Sequence, residues 1–378
     1  MTVLVHSAKI GPYAASTTPR QETLTWVGLA TVVAVAEHAF LRNAWYVAAW
    51  DHLIGDDLTA LTILGDHICL FRRSDGTVAA LADACPHRKL PLSMGRRCGD
   101  GVECGYHGLV FDGNGACVKA PGNQGRIPRG ADVRSYPVVE RYGLSWVWMG
   151  NPERADPADI VEIEHYGDPD WGINTGPAMD FSCDYRYIVD NLLDPSHVAW
   201  VHDTSFAQEA ARDTPLEVEM RDTGVCVSRW LYGGQVAPFY AKLVEFDGPC
   251  DRHQHYEAFY PSTALARAVF TPAGTGGPDG PLHDDLFQMD SWNFLTPITG
   301  KITRYHFFQL RNVRPGDEAV DCLMSEDVTG AFSEDREVLE AVQRGMDAAE
   351  SHINMHIDTG PLRFRRHLET LITAEGGG

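Results

Sequence analysis

Four residues in two short segments constrain this chain more than any other feature of its sequence. Cys85 and His87 are separated by one residue, and after sixteen intervening residues come Cys104 and His107, separated by two. Each segment supplies one thiolate and one imidazole, so together they offer a metal two cysteine and two histidine ligands. A tetrahedral zinc ion and a Rieske [2Fe–2S] cluster both accept such a set.

The distribution of the ligands between the segments separates these two alternatives. Zinc sites usually place two thiolates in one segment and two imidazoles in the other, or keep two cysteines two to four residues apart. In a Rieske centre two cysteines bind one iron and two histidines bind the other, and mixed segments suit that arrangement. We therefore predict a Rieske [2Fe–2S] cluster held by Cys85, His87, Cys104 and His107.

Composition and charge exclude several classes of protein. The 378 residues suffice for two domains, and 44% of them are hydrophobic and 22% charged, as in ordinary globular proteins. A formal net charge of −21 argues against nucleic acid or an anionic membrane as the main partner. Nine cysteines in a chain of this length do not form a disulfide framework, so we expect a reducing, cytoplasmic setting.

The first 38 residues are treated as a separate segment. The stretch 24–36 is apolar but shorter than the roughly 20 residues that span a bilayer. Only Lys9 and Arg20 precede it, so the basic start of a signal peptide is missing. We expect residues 1–38 to be an N-terminal extension of unknown role.

The rest of the chain divides into two regions of different character. Residues 39–155 contain short strand-like runs, hairpin turns such as 74–77, and a Pro- and Asp-rich end that we interpret as a linker. Residues 156–378 contain a helix-compatible stretch at 184–202 and β-rich runs near 216–232, 254–270, 286–296 and 302–313. Helical patterns then follow at 331–352 and 361–372. An all-β domain followed by an α+β domain is the inference.

A second metal site is suggested by His197 and His202. Five residues apart on an ideal helix, they would lie about 140° apart and share no face. Asp194 and Pro195 offer a break, because Asp is a favoured N-cap and Pro a favoured first helical residue. Two imidazoles and a carboxylate form the facial triad of non-haem Fe(II) oxygenases. Ordinary core or surface histidines are the alternative, which the neighbouring Rieske motif makes the weaker one.

With these motifs in place, the chain resembles the oxygenase component of the Rieske non-haem iron oxygenases, in the vanillate and dicamba O-demethylase branch. The resemblance begins near Leu41 and covers most of the chain that follows. The matching segments are Arg42 to Ala48, Cys85 to Arg88, Pro91 to Ser93, Cys104 to Leu109, Glu140 to Gly143, Trp146 to Trp148, Asp190 to His202, Ser333 to Glu340 and Asp358 to Pro361, with Arg365 and Arg366.

The resemblance, and not the spacing, assigns roles to five residues. His197, His202 and Asp335 match the Fe(II) ligands of the family, although from the residues alone Glu334 and Glu337 compete with Asp335. Asp194 matches the acidic residue that links the Rieske cluster of one subunit to the iron of its neighbour. Asn191 matches a residue close to the iron. A helix-surface amide is its other interpretation.

The fold implied is an N-terminal all-β Rieske domain (39–155) followed by a helix-grip, START-like α+β catalytic domain (156–378), assembled head to tail as a homotrimer. The activity implied is the O2-dependent demethylation of an aryl methyl ether, such as a vanillate-like substrate, with release of formaldehyde. Hydroxylation of an aromatic ring, a benzylic methyl or an N-methyl group by the same iron is the alternative. A Rieske electron carrier is the alternative from another class.

The sequence also suggests an electron-donor partner and candidate residues for binding the substrate. No G-x-G-x-x-G segment follows a strand, so a separate NAD(P)H-dependent reductase or ferredoxin is expected to deliver electrons. Arg229, Arg267 or Arg304 is a candidate to hold a substrate carboxylate. The pocket walls are expected from aromatic residues of the second domain, which are Trp230, Tyr232, Phe239, Tyr256, Phe259, Trp292 and Phe294.

Overall fold

The computed structural model describes residues 40–277 and 286–376. The expected extension, residues 1–38, therefore lies outside the described residues, and its role stays a prediction. None of the helices in the described part of the chain combines the length and the apolar character needed to cross a bilayer.

The N-terminal region is built from short antiparallel strands, as the alternating runs and turn residues predict. Three small sheets form, with strand orders β1-β11-β10, β2-β3-β4-β9 and β5-β6-β7-β8. The strands are β1 (Trp45–Trp50), β2 (Thr59–Ile63), β3 (Asp66–Arg72), β4 (Val78–Ala82), β5 (Arg96–Cys98), β6 (Gly101–Glu103), β7 (Val110–Phe111), β8 (Cys117–Lys119), β9 (Ser135–Tyr136), β10 (Val138–Arg141) and β11 (Leu144–Trp148).

The C-terminal region is one large antiparallel sheet with helices against it. The sheet order is β12-β19-β18-β17-β16-β15-β14, with β13 also pairing with β19. Its strands are β12 (Gly172–Thr175), β13 (Met179–Phe181), β14 (Glu217–Arg221), β15 (Gly224–Gly234), β16 (Cys250–Phe259), β17 (Thr263–Pro272), β18 (Phe287–Thr299) and β19 (Ile302–Arg311). The helices are α1 (Tyr185–Leu192), α2 (Val198–Val201), α3 (Glu318–Ala348) and α4 (Thr359–Gly376). The predicted all-β domain followed by an α+β domain is confirmed, whereas the boundary at 155/156 stays a prediction.

The long helix α3 differs from its prediction in length. It begins at Glu318, where Asp317 accepts a hydrogen bond from the Val320 amide as N-cap, thirteen residues before the predicted start. Val338 and Val342, although apolar, are 40% and 39% exposed. The buried side follows a spacing of three and four residues, through Met324, Val328, Ala331, Asp335, Leu339 and Gln343.

The helix break before His197 is confirmed, but its details differ. Helix α1 ends at Leu192 and α2 begins at Val198, three residues after the predicted start at Pro195. The Asp194 carboxylate accepts from the Ser196 amide, at 2.8 Å, and so caps the turn that precedes α2. His202 lies at the C-terminal end of α2, as expected.

Apolar contacts join the two regions behind the large sheet. Tryptophans of β1 and β11 pack against Leu265, Trp292 and Phe294 of the large sheet in one buried cluster, and the rings of Trp146 and Phe294 meet edge to face at 5.4 Å. The Thr296 hydroxyl donates to the Val47 carbonyl at 2.7 Å. The opposite face of the sheet is left for the helices and for the site.

Helix α4 closes the core on the helix side of the sheet. Phe364 is fully buried there and stacks on Tyr260, with ring centroids 4.8 Å apart. Gly360 lies so close to β15 that a Cβ would come within 2.4 Å of Val227 Cγ2. Close backbone approach therefore fixes the helix at its first turn, and the phenyl ring fixes it at the second.

We expect Phe364→Ala to destabilise the protein by about 3–5 kcal/mol, because it removes a buried aromatic ring and leaves a cavity. Thermal unfolding followed by circular dichroism measures the effect. Leu362→Ala is the matched control on the same helix, since Leu362 is 40% exposed and its truncation should change stability little. Equal shifts in the two variants would contradict the proposed anchoring of α4.

Candidate metal centres

The two cysteine-histidine segments form turns of the same geometry. In the first, the Cys85 amide donates to the Leu90 carbonyl at 2.9 Å and the Lys89 amide donates to the Cys85 carbonyl at 2.8 Å. In the second, Cys104 makes the equivalent bonds with Leu109 and Gly108, at 2.8 and 3.1 Å. The two turns therefore place their cysteines equivalently, while the histidine is the second residue after the cysteine in the first turn and the third in the second.

The fourth residue after each cysteine adopts a left-handed backbone conformation. Gly108 has φ +70°, which glycine adopts without strain, and Lys89 has φ +61° at the corresponding position. A side chain at such a φ is uncommon. The first turn therefore has the conformation of the second without its glycine.

The four side chains are placed as a Rieske cluster needs them. Cys85 and Cys104 are each 2% exposed, whereas His87 and His107 lie at the surface with ring centroids 4.6 Å apart. Two buried sulfurs and two outward imidazoles at one tip match a cluster whose histidine-bound iron is the outer one. The residues present fit a [2Fe–2S] group.

The three predicted iron ligands, His197, His202 and Asp335, converge at a second site. Nε2 of His197 lies 3.6 Å from Asp335 Oδ1, and Nε2 of His202 lies 3.3 Å from the same oxygen. All three groups offer a ligand atom within 4.8 Å of the others. His197 and His202 come from the start and end of α2, and Asp335 comes from the buried side of α3.

The outer nitrogen of each imidazole is held by an acceptor. Nδ1 of His197 is bonded to the Asp194 carbonyl, and Nδ1 of His202 lies 2.7 Å from Glu334 Oε2. These partners fix the tautomers and turn both Nε2 atoms towards Asp335, as the ligands of a metal require. Burial acts to lower the pKa of His202, but Asp335 and Glu334 outweigh it and raise that pKa. The donor set fits a 2-His-1-carboxylate iron.

Asn191 and Asp194, the two predicted catalytic residues, lie beside this triad. Asn191 Nδ2 donates to Asp335 Oδ1 at 3.2 Å. The contact of Asp194 with His197 is made by its main-chain carbonyl and not by its carboxylate, which binds the Ser196 amide. Within this chain Asp194 therefore supports His197 through its main chain.

The helical pattern of the sequence carries a signal for Asp335. Asp335 is the acidic residue on the apolar stripe of α3, whereas Glu334 and Glu337 lie off that stripe. A carboxylate on a core-facing helix stripe is unusual unless it is paired or bound to a metal. Glu334, considered only as a rival ligand, instead supports His202.

A pocket opens beside the triad. It encloses about 610 Å³ of empty space, part of it open to solvent, and is lined mostly by apolar side chains. Ala266 and Ala268 of β17 leave room at the sheet, and Phe206, Tyr240, Tyr256 and Met289 form other walls. An apolar lining with a few polar groups at one end suits a small aromatic molecule.

The expected pocket aromatics divide between the two faces of the sheet. Tyr256 lines the pocket, but Trp292 and Phe294 belong to the cluster on the opposite face, because neighbouring side chains of a strand alternate.

The three expected substrate arginines already hold protein acceptors. Arg267 and Arg304 each bind an aspartate, Asp290 and Asp180 respectively. Arg229 donates to the Gln254 side chain and to the carbonyls of Thr214 and Pro195. It therefore ties β15 to the loop between α1 and α2 that carries Asp194.

Another group of potential metal ligands lies on β15 and β16. Cys226 Sγ is 3.6 Å from His255 Nδ1, and His255 Nε2 is 3.3 Å from Glu257 Oε2. Arg221 Nη1 binds that same carboxylate oxygen at 2.6 Å and compensates its charge. Burial raises the pKa of the Cys226 thiol to about 12, which keeps it protonated at neutral pH. We assign this group a structural role.

Comparison with known proteins places both centres in one family. The Rieske [2Fe-2S] domain model matches residues 44–137, and the vanillate O-demethylase oxygenase C-terminal domain model matches residues 181–374. The iron-sulfur subunit of the toluene-4-sulfonate monooxygenase system of Comamonas testosteroni is 37% identical over 90% of this chain and 99% of its own. The vanillate O-demethylase oxygenase subunit of Pseudomonas sp. (strain HR199 / DSM 7063) is 33% identical over 89% and 96%.

A solved structure agrees with these matches. The crystal structure of dicamba monooxygenase bound to 3,6-dichlorosalicylic acid is 32% identical, covers 90% of this chain and 100% of its own, and superposes with a TM-score of 0.83. The cofactors are accordingly a Rieske [2Fe–2S] cluster and a non-haem iron that uses O2, with electrons delivered by a separate reductase or ferredoxin. The chain is an enzyme and not an electron carrier: it belongs to the Rieske non-haem iron oxygenases, as a terminal oxygenase component of the branch that includes the vanillate and dicamba O-demethylases.

Proposed function

We propose that this oxygenase removes the methyl group of an aryl methyl ether. One atom of O2 enters the methyl group, and the resulting hemiacetal collapses to a phenol and formaldehyde. The other oxygen atom is reduced to water by two electrons and two protons, of which NAD(P)H supplies both electrons and one proton and the solvent supplies the second proton. The observation that carries the proposal is an apolar pocket opening onto His197, His202 and Asp335.

When bound, the cluster supplies electrons singly and the iron activates O2 next to the substrate. The protein positions the metal and the substrate and excludes water from the site. We propose His197, His202 and Asp335 as the iron ligands, with Asn191 holding the Asp335 carboxylate in place. Val328, Ala331 and Phe332 of α3 line the pocket together with the sheet and exclude water from the reacting methyl group.

Hydroxylation of a benzylic methyl group is the second candidate. A specific observation favours it, because the two 37% identical relatives belong to systems named for toluene-4-sulfonate, which carries a ring methyl and no ether. The same pocket and ligands serve both reactions, since each begins at a methyl group on an aromatic molecule. The products distinguish them: formaldehyde and a phenol in one case, a benzylic alcohol in the other.

We also propose a homotrimer in which Asp194 links the cluster of one chain to the iron of the next. Large apolar side chains are exposed beside both centres: Trp200 of α2 is 67% exposed, and Tyr106, next to His107, is 56% exposed. Exposed aromatics of this size often mark an interface. The second oxygen of the Asp194 carboxylate has no hydrogen-bond partner among the described residues, which leaves it for a partner subunit.

The first test is formaldehyde release. With a surrogate reductase, NAD(P)H and a panel of methoxylated and methylated aromatics, we expect formaldehyde and a phenol in equal amounts and coupled to O2 uptake. Product analysis by mass spectrometry identifies the cleaved bond. Oxidation of the panel that yields only benzylic alcohols or ring-hydroxylated products would reject demethylation and support the second candidate.

The ligand assignment is tested by iron content. The parent chain should hold three irons, two in the cluster and one at the triad. We expect His202→Ala and Asp335→Ala to hold two, to keep the visible spectrum of the cluster and to lose turnover. Glu337→Ala is the matched acidic control on α3 and should keep all three irons. Full iron content in the Asp335 variant would remove Asp335 from the ligand set.

The role of Asp194 is tested separately. We expect Asp194→Asn to retain three irons but to lower turnover by about 10–100-fold, the usual effect of removing a group that supports metal ligands. Stopped-flow reduction of the cluster by the reductase should be unchanged, because that step precedes the transfer between metals. Turnover at the parental rate would refute the link.

A further inference from the structure

The wall that the large sheet gives to the pocket contains a row of side chains running straight across the strands. Tyr256 of β16 pairs with Ala266 of β17. Ala266 pairs with Ser291 of β18, and Ser291 pairs with Gln309 of β19. Gln309 in turn pairs with Asn174 of the edge strand β12. Directly paired residues present their side chains to one face of a sheet. The first three line the pocket, so the row runs from the pocket into the buried interior.

The hydrogen bonds of the interior part of this row are directed towards the pocket. Asn174 Nδ2 donates to Gln309 Oε1 at 2.6 Å, and Gln309 Nε2 donates to Ser291 Oγ at 3.0 Å. Both amide side chains belong to fully buried residues. Ser291 Oγ therefore accepts from a fixed donor, and its own hydrogen needs an acceptor on another side. Hydrogen bonds linked in this way strengthen one another in a protein interior, which makes the last hydroxyl of the chain a better donor.

The acceptor that the protein offers to this hydroxyl is a poor one. Ser291 Oγ lies 3.4 Å from Asn293 Oδ1, whereas O–H···O hydrogen bonds are usually about 2.7–2.8 Å long. That oxygen already accepts from the Tyr305 hydroxyl at 2.8 Å. If the Ser291 hydroxyl turns towards the pocket, Asn293 keeps its good donor and the protein loses one long bond. An acceptor on a bound ligand is therefore a better partner for Ser291 than the protein provides.

Small side chains on β17 leave space beside the hydroxyl. Ala266 separates Ser291 from Tyr256 in the row, and Ala268 pairs with Met289 next to it. All five residues line the pocket, so a flat ring that lies over the two alanines has its edge at Ser291. None of the described residues that line the pocket is a lysine or an arginine. The polar recognition available at this wall is therefore a hydrogen bond and not an ion pair.

We propose that Ser291 determines specificity by donating a hydrogen bond from its hydroxyl to an oxygen acceptor on the substrate ring. The substrate class is then a methyl-bearing aromatic compound with a second, oxygen-containing substituent such as a carbonyl group. The inference deepens the proposed function and rests on the pocket being the substrate site. It does not depend on whether the methyl group is attached to an ether oxygen or to a ring carbon.

The test isolates the hydrogen bond by replacing a carbonyl oxygen with a methylidene group of similar shape. Calorimetry measures the affinity of the oxidised holoenzyme, without reductase, for meta- and para-methoxyacetophenone and for the corresponding isopropenylanisoles. The readout is the ratio of ketone affinity to alkene affinity, because the difference in ligand hydration cancels when two proteins are compared. At one ring position at least, we expect Ser291→Ala to lower this ratio by roughly 3–10-fold, the effect of losing a neutral hydrogen bond, and to change alkene affinity less than about twofold.

Three further variants complete the experiment. Ser291→Thr keeps the hydroxyl and should keep the parental ratio. Tyr256→Phe removes the other hydroxyl of the row and should change both affinities alike. Ser325→Ala is the matched control, because it removes a serine hydroxyl of α3 that donates to the Thr175 carbonyl and that is not part of the pocket lining. The visible spectrum of the cluster verifies that each variant is folded.

The outcomes separate this inference from the proposed function. A Ser291→Ala variant with the parental ratio overturns it, and so does a ratio that falls in Tyr256→Phe instead. Equal weakening of ketone and alkene in Ser291→Ala, or the same loss in Ser291→Thr, overturns it as well, since each is the result of a purely structural role. A parent that binds none of the four compounds also contradicts it. Acceptor-dependent binding through Ser291 without any formaldehyde release would reject demethylation and leave the role of Ser291 standing.

Discussion

The catalytic half of this protein depends on one buried carboxylate. Asp335 Oδ1 lies 3.6 Å from Nε2 of His197 and 3.3 Å from Nε2 of His202, and it accepts a hydrogen bond from the Asn191 side chain. Asp335 stands on the core-facing side of a 31-residue helix. A carboxylate buried at 5% exposure among apolar side chains is unfavourable unless its charge is compensated. The iron that we propose at this site would compensate it, and the long helix, the broken helix pair and the pocket are all arranged around that position.

The broken helix pair is what brings the two histidines to this carboxylate. On a continuous helix His197 and His202 would face different directions, but α2 is only one turn long and His202 follows its last residue with φ −112° and ψ 41°, outside the helical conformation. The turn held by Asp194 and Ser196 positions the start of α2, where His197 lies. Arg229 anchors this turn to β15 through the Pro195 carbonyl. That guanidinium thus holds in place the turn that precedes His197.

The candidate cluster ligands could be picked out of the sequence because they are local, and their assignment stays a prediction. Cys85 and His87 sit on one turn and Cys104 and His107 on another, and both turns are encoded within six residues. His197 and His202 were also predictable, since the helix break lies between them and the preceding helix. Asp335 could not be selected by spacing, because 133 residues separate it from His202 and only packing places α3 beside α2. Resemblance to the family supplied it.

The partners of the candidate arginines were beyond prediction from sequence for a different reason. Arg229, Arg267 and Arg304 looked equivalent as letters, and only the structure shows which protein acceptors each of them holds. The buried stripe of α3 could not be predicted from apolar letters alone, because Val338 and Val342 are apolar yet lie on its outer side. In both cases the environment of a side chain depends on the residues that pack against it in the folded protein, and composition and periodicity do not encode those contacts.

The central claim is that the cluster of Cys85, His87, Cys104 and His107 supplies electrons to an iron held by His197, His202 and Asp335. A single-turnover experiment tests it most directly: protein with a chemically reduced cluster, freed of reductant, is mixed with O2 and a bound aromatic substrate, and cluster oxidation is followed by absorbance together with product. The account predicts oxidation and product on the same time course in the parent, and no product from His202→Ala. Cluster oxidation without product in the parent, at every substrate that binds, would contradict it.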